Sequence, residues 1–152
     1  MKIAILGDIH GNIEALQAVA ADVDEVKPDR VYCTGDVIGY GASPRECLAL
    51  VRERGWPTVI GNWEVVLTPG GAYAPDDFNP YAKCSIYWTR GAMTREEKEY
   101  LAALPPRIVE DGVEVVHAST GENTTQPYLL KVADARKAFD VAEVPIVFIG
   151  HT

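Results

Sequence analysis

Six polar residues of this chain follow short apolar runs that have the pattern of β-strands, and all six could ligate a metal ion. They are Asp8, His10, Asp36, Asn62, His117 and His151. The three histidines of this set are all the histidines that the chain contains. Carboxylate, amide and imidazole groups supply oxygen and nitrogen ligands to divalent cations such as Mn, Fe, Zn, Ni and Mg. The residue types therefore indicate metal chemistry.

Alternating strands and helices would bring the first four of these residues together. Strands are predicted at residues 2–6, 31–34 and 58–60, with a helix at 13–23 and a second helix ending at Gly55. Such alternation is typical of parallel strands joined by crossover helices. Because the carboxyl ends of these strands form the ligand crevice of an open α/β sheet, we expect the polar side chains to meet there.

Each motif is weak evidence when it is taken singly. A Gly-Asp pair after a strand is often only a turn, and a lone histidine at a strand end is more often hydrogen-bonded structure than a ligand. The joint pattern favours a metal site. Asp8 and His10 can point to the same side and chelate one ion, Asp36 offers two oxygens that can bridge two ions, and Asn62 adds a neutral oxygen.

Local signals predict the remaining elements. Ser43 with Glu46, and Thr94 with Glu97, have the spacing of capping boxes that open helices. Further helices are predicted at 80–93 and 132–140, and loops at 70–79 and 121–127.

An antiparallel element follows the parallel half of the chain. Residues 107–110 and 113–116 are predicted to form a β-hairpin whose two-residue turn is Asp111-Gly112. Residues 146–149 are predicted to form a further, buried strand, which leads into Gly150 and His151.

The composition of the chain limits the classes of protein to which it can belong. The chain has 152 residues, enough for one domain over residues 1–152, and its 47% hydrophobic content is that of a globular protein. A net charge of −8 argues against general nucleic-acid binding and against an anionic membrane partner. It leaves a phosphate substrate open, because bound cations would reverse the local field. No apolar run is long enough for a membrane span, and the three cysteines lack zinc spacing, so reduced thiols in the cytoplasm are expected.

The ordered motifs resemble those of the calcineurin-like metallophosphoesterases, in particular the bacterial and archaeal phosphodiesterase-like branch. The matching residues are Gly7-Asp8-Ile9-His10, Gly35-Asp36, Gly61-Asn62-Trp63-Glu64, His117 and Gly150-His151. The segment from Gly35 to Gly41 also looks like this branch.

The resemblance implies an α/β fold, a four-layer αββα sandwich with two mixed sheets face to face and helices outside. It also implies two divalent metal ions: Asp8, His10 and Asp36 would hold the first, and Asp36, Asn62, His117 and His151 the second. Asp36, Asn62 and His117 are the expected catalytic residues. The expected activity is metal-dependent hydrolysis of a small phosphate ester, either a phosphodiester or a small nucleotide, through in-line attack by a hydroxide that bridges the metals.

Two departures from the family pattern lead to further expectations. The family's usual histidine after Gly-Asn is Trp63 here, and an indole cannot act as an acid toward the leaving group. Glu64, which would orient that histidine, is then expected to be free or structural. The family also continues beyond Gly-His with x-His and further strands. We therefore expect the C-terminal part of the fold to be missing from this sequence, and copies of the chain to self-associate as a homo-oligomer.

Two other classes of function remain as alternatives. The first is a metallophosphoesterase-fold binding scaffold with weak metal binding and little turnover, which Trp63 and the missing terminal histidine favour. The second is a nucleotide-binding α/β domain, which is disfavoured because no glycine-rich phosphate loop follows the first strand.

Overall fold

The computed structural model describes residues 1–68, 71–121 and 127–151, and contains two β-sheets with helices on their outer faces. The described strands and helices, in chain order, are β1 Ile3–Leu6, α1 Ile13–Val26, β2 Arg30–Cys33, α2 Pro44–Glu53, α3 Asn62–Leu67, α4 Pro80–Ala92, α5 Arg95–Ala102, β3 Arg107–Glu110, β4 Val113–Val116, α6 Val132–Asp140 and β5 Ile146–Phe148. A short 3₁₀ turn at Pro75–Asp77 lies in the predicted loop before α4.

The first sheet pairs β1 and β2 in parallel, with Ile3 opposite Arg30 and Leu6 opposite Cys33. The third strand expected here, at 58–60, is reduced to a single parallel bridge between Thr58 and Cys33. It does not continue because the Ile60 amide donates to the Pro105 carbonyl, outside the sheet.

The second sheet has the order β3-β4-β5 and is mixed. β3 and β4 form the predicted antiparallel hairpin around Asp111 and Gly112, and both turn residues have positive φ. β5 then pairs with β4 in parallel, with Val113 opposite Ile146. The prediction that this strand is buried was wrong: Ile146 is exposed and Val147 and Phe148 are half-buried, because β5 lies at the edge of the described sheet. Because β4 and β5 are parallel, their carboxyl ends lie at the same edge of the sheet.

Alternating side chains place the two sheets face to face. Tyr32 on β2 packs with Val59, Val113 and Val115 between the sheets, and Phe148 closes this cluster. The alternate residue of β2, Cys33, lies on the opposite face with the α1 and α2 side chains. This is the period-two pattern of a strand that is covered on both faces. The layers are therefore helices, sheet, sheet and α6, in agreement with the four-layer fold that the resemblance implied.

One local prediction about helices was wrong, and one helix was not predicted. The Ser43 side chain makes no capping hydrogen bond, because residue 43 is held by its own amide, which donates to the Gly11 carbonyl. The helix α3 was not predicted, and it begins at Asn62 with Gly61 as its N-cap. The capping box of Thr94 and Glu97 is confirmed.

The predicted loop at 121–127 lies almost entirely outside the described residues. Within the described part of the chain, no helix combines the length and apolar character needed to cross a membrane.

Candidate metal centre

The six residues singled out from the sequence lie together at one edge of the two sheets. Asp8 and His10 follow β1, Asp36 follows β2, and Asn62 opens α3, while His117 follows β4 and His151 follows β5. Among the described residues, two groups could each hold a cation: the first is Asp8, His10 and Asp36, and the second is Asp36, His117 and His151. Within each group the potential ligand atoms lie within 4.8 Å of one another. Asp36 belongs to both groups.

The first group is partly open to solvent. The His10 Nε2 atom lies 3.8 Å from Asp36 Oδ2, while its Nδ1 atom lies 3.3 Å from the Ile38 carbonyl oxygen. Both oxygens of Asp8 accept from the His151 amide, at 3.1 Å. These contacts tie the beginning of the described chain to its end and hold Asp8 beside the second group.

The second group centres on the buried His117 imidazole. Its Nδ1 atom lies 2.7 Å from the Thr34 carbonyl oxygen, so Nδ1 carries a proton, because a carbonyl can only accept. Its Nε2 atom faces Asn62 Oδ1 at 3.0 Å, His151 Nδ1 at 3.1 Å and Asp36 Oδ2 at 3.4 Å. When His117 is neutral, its Nε2 lone pair faces two acceptors, Asn62 Oδ1 and Asp36 Oδ2, and also His151 Nδ1, which donates or accepts according to its tautomer. A bound cation would satisfy the lone pairs that converge there. The donor set therefore fits a divalent metal.

The charge of Asp36 also perturbs the two histidines of the second group. Burial lowers the pKa of His117, but the hydrogen bond to the Asp36 carboxylate, the charge of Asp36, the hydrogen bond to the Thr34 carbonyl and the charge of Glu64 together outweigh this effect and raise the pKa to about 9. Burial, together with the charge of His117, lowers the pKa of His151. The second group therefore favours a single positive charge at its centre.

Glu64 fixes the loop that carries Asp36. Its carboxylate is fully buried and accepts from four amides: those of Asp36, Val37, Ile38 and Gly61, at 2.8–3.4 Å. Burial raises the pKa of Glu64 to about 7, and the charge of Asp36 acts in the same direction. The charge of His117 and the hydrogen bonds from the Asp36 and Gly61 amides oppose that shift, because both favour the ionised carboxylate. Glu64 is therefore structural, one of the two roles that the sequence left open.

The backbone is strained where the candidate ligands lie. Seven described residues other than glycine have positive φ, and the five at this site are Asp8, His10, Asp36, Tyr40 and His151. The left-handed region costs such residues roughly 1–3 kcal/mol each, and this strain concentrates at functional sites. Close packing maintains it: a Cβ atom on Gly150 would lie 2.6 Å from Asp8 Oδ2, and one on Gly61 would overlap Asp36 Oδ1.

Trp63 forms an apolar wall beside the ligands. Its amide donates to Asp36 Oδ1 at 3.0 Å, while its indole is 2% exposed. The ring centroid lies 4.3 Å from that of Tyr40, 5.7 Å from His10 and 5.8 Å from Phe78. The position that carries a histidine in the resembled motif thus carries a buried ring without an acidic proton.

Comparison with known proteins decides the family. The sequence model described as calcineurin-like phosphoesterase matches residues 1–152, the whole chain. The chain belongs to this family. Members of the calcineurin-like phosphoesterase family are generally metal-dependent hydrolases, and the two sheets with outer helices match their fold.

Individual relatives extend the comparison. An uncharacterised protein of Methanocaldococcus jannaschii is 34% identical over 99% of this calcineurin-like phosphoesterase and 61% of its own length. A crystal structure described as a metallophosphoesterase of Sphaerobacter thermophilus superposes with a TM-score of 0.82 at 34% identity, covering 100% of this chain and 60% of that one. A symmetrical bis(5′-nucleosyl)-tetraphosphatase of Actinobacillus succinogenes is 39% identical over 44% of this chain and 26% of its own length. This chain thus spans about 60% of the two relatives that it matches throughout.

The sequence did not reveal three contacts of this site. These are the Thr34 carbonyl that holds His117, the four amides that bind Glu64, and Tyr128, whose ring stacks on His151 at 3.9 Å with an interplanar angle of 16°. For Glu64 one signal existed, because a glutamate three positions after Gly61 has the spacing of a helix-capping residue.

Proposed function

We propose that this chain is a metal-dependent phosphoric ester hydrolase that acts on phosphodiesters or small nucleotides. Two divalent ions, drawn from Mn, Fe, Zn, Ni and Mg, would be held by two ligand sets that share Asp36. Asp8 and His10 would complete the first set, and Asn62, His117 and His151 the second. The observation that supports this most is that Asn62 Oδ1, His151 Nδ1 and Asp36 Oδ2 all lie within 3.4 Å of His117 Nε2.

The bound cations would supply Lewis acidity toward water and toward the phosphoryl oxygens. The protein's own residues position the metal ligands and shield the site from water. Asp36 offers a carboxylate to both sets, and Glu64 holds its loop by four amide hydrogen bonds. His117 keeps Nε2 free for a cation by donating from Nδ1, the usual arrangement of a metal-binding histidine. Trp63 excludes water from one side of the site.

We also propose that residues 1–152 form a single domain, because Asp8 and His151 belong to one centre and are hydrogen-bonded to each other. The described cysteines, Cys33, Cys47 and Cys84, are unpaired, which supports a cytoplasmic location. The net charge of −8 supports a small phosphate ester rather than general nucleic acid as the substrate.

Replacing the shared carboxylate tests the proposal. In Asp36→Asn the amide cannot serve as a bridging anion, so metal content should fall and hydrolysis of bis(4-nitrophenyl) phosphate should drop by at least about 100-fold. Asp22→Asn, the same change at an exposed position of α1, should keep both properties. Unchanged activity in Asp36→Asn, or full activity after thorough chelation, would contradict a shared two-metal site.

One observation favours a second candidate function, a binding scaffold with this fold. Trp63 leaves its position without a proton donor for a leaving alcohol. A scaffold would bind metal and phosphate but hydrolyse no ester faster than the same metal in buffer, and this measurement separates the two candidates.

A further inference from the structure

The cavity that opens onto the candidate ligands is lined by aromatic rings that metal binding does not require. It has a volume of about 340 Å³ and contains Asp36, Asn62 and His151 together with Tyr40 and Tyr128. Trp63 and Phe78 form its more buried wall. Both tyrosines expose more than half of their surface, 53% for Tyr40 and 58% for Tyr128.

Tyr40 is held in an unusual conformation. It has a φ of 49° at the centre of a tight turn, in which the Gly41 amide donates to the Gly39 carbonyl at 2.6 Å and to the His10 carbonyl at 2.8 Å. A Cβ atom on Gly39 would overlap the Trp63 ring, so the indole lies directly on the turn. Glycine or asparagine is the usual residue at such a φ. A half-exposed tyrosine there buries little surface in the core, so core packing does not explain why the turn carries an aromatic ring.

The Tyr40 ring borders the first ligand group. Its centroid lies 4.9 Å from that of His10, edge to face, and Trp63 supports it from a centroid distance of 4.3 Å. A supported, partly exposed aromatic ring beside a phosphate site suits the stacking of a planar group. Stacking tolerates any base, because every base has a π face.

We propose that Tyr40 is the stacking surface for the base of a nucleotide whose phosphate lies at the metal centre, so that the substrates are nucleoside phosphoesters rather than alkyl phosphates. The inference rests on the proposed function and deepens it. It assigns base binding to Tyr40 rather than to Tyr128, because Tyr128 already stacks on His151.

Two ligands that differ only in the base test this assignment. We would titrate the Mn²⁺-loaded protein by calorimetry with adenosine 5′-monophosphate and with ribose 5-phosphate. Stacking of one base corresponds to about 5- to 150-fold tighter binding of the nucleotide. Tyr40→Ala should abolish this preference, and Tyr40→Phe should keep it. Tyr87→Ala, which removes a half-exposed tyrosine of α4 outside the cavity, should also keep it.

Tyr40→Leu keeps an apolar side chain against Trp63 but removes the flat ring. This variant replaces Tyr40→Ala in the titration if Tyr40→Ala does not fold. Equal affinity of the parent protein for both ligands would overturn the inference, as would a preference that survives in the leucine variant. Loss of the preference in Tyr128→Ala but not in the Tyr40 variants would do so as well.

Hydrolysis of bis(4-nitrophenyl) phosphate by the same samples separates this inference from the proposed function. Metal-dependent hydrolysis without any base preference would contradict only the role of Tyr40. A base preference that depends on Tyr40, without hydrolysis, would support the stacking role while contradicting the esterase function.

Discussion

Trp63→His would introduce an acid where the chain now has an indole. The backbone of residue 63 is already fixed, because its amide donates to Asp36 Oδ1 at 3.0 Å, and the side chain lines the cavity that holds the ligands. An imidazolium there could protonate the oxygen of a departing alcohol, whereas the indole N–H has no useful acidity.

The expected gain depends on the leaving group. General acid catalysis is typically worth about 10²–10⁴-fold. A nitrophenolate leaves readily without help, but an alkoxide does not. Trp63→His should therefore accelerate hydrolysis of a dinucleotide such as thymidylyl-thymidine by about 100-fold or more, while changing the rate with bis(4-nitrophenyl) phosphate much less.

The same substitution should cost stability. The indole is 2% exposed and contacts Tyr40 and Phe78, so the smaller imidazole leaves a void. Replacing a buried Trp by Ala costs about 3–5 kcal/mol, and His fills part of that space, so we expect a loss of about 2–3 kcal/mol. At about 2–4 °C per kcal/mol, the Tm should fall by roughly 4–12 °C.

The assay compares kcat/KM for the two substrates well below the Tm of each variant. Trp63→Phe is the matched control, because it also shrinks the side chain but adds no acid. Equal acceleration of both substrates by Trp63→His would refute the reasoning, since another group would then already supply the proton or chemistry would not limit the rate. Acceleration of the dinucleotide by Trp63→Phe would refute it too.

Two further predictions concern stability. Glu64→Ala leaves four buried amides without their acceptor, so the free energy of unfolding, measured by urea denaturation, should fall by at least roughly 4 kcal/mol. Glu99→Ala on the surface is the control, and it should change the free energy of unfolding by less than about 0.5 kcal/mol. In chelator, protonated His117 stabilises the fold, because its pKa is raised from 6.5 to about 9. That contribution, roughly 3 kcal/mol, is complete below pH 6.5 and lost as the pH rises to about 9. A flat urea midpoint across that range would contradict the assigned charge pair.

The sequence predicted the location of the candidate site because strand ends are local features. Short apolar runs predict β1, β2 and β4, and the residue that follows each run necessarily lies at the sheet edge. The Asp111-Gly112 turn fixes the antiparallel hairpin, and the alternation before it fixes the parallel half. These signals need no knowledge of distant contacts.

Features that depend on distant contacts could not be predicted. The strand expected at 58–60 is interrupted because Ile60 bonds to Pro105, 45 positions along the chain. Glu64 reaches amides 26–28 positions away, and no local pattern reveals that pairing. The six-residue helix α3 is too short to show an apolar period, so it was missed.

Backbone strain at the candidate centre lowers the stability of the protein when no metal is bound. Asp8, His10, Asp36 and His151 have left-handed backbones. His117 Nε2 lies 3.0–3.4 Å from Asn62 Oδ1, His151 Nδ1 and Asp36 Oδ2, and without a metal a proton on Nε2 holds this cluster together. Glu64 and the close approach of Gly61 and Gly150 keep this arrangement in place. A divalent cation would take the place of that proton without any movement of the backbone, so the rigid surroundings favour its binding. The fully buried Glu64 carboxylate, which accepts from four amides of the described chain, contributes to this rigidity.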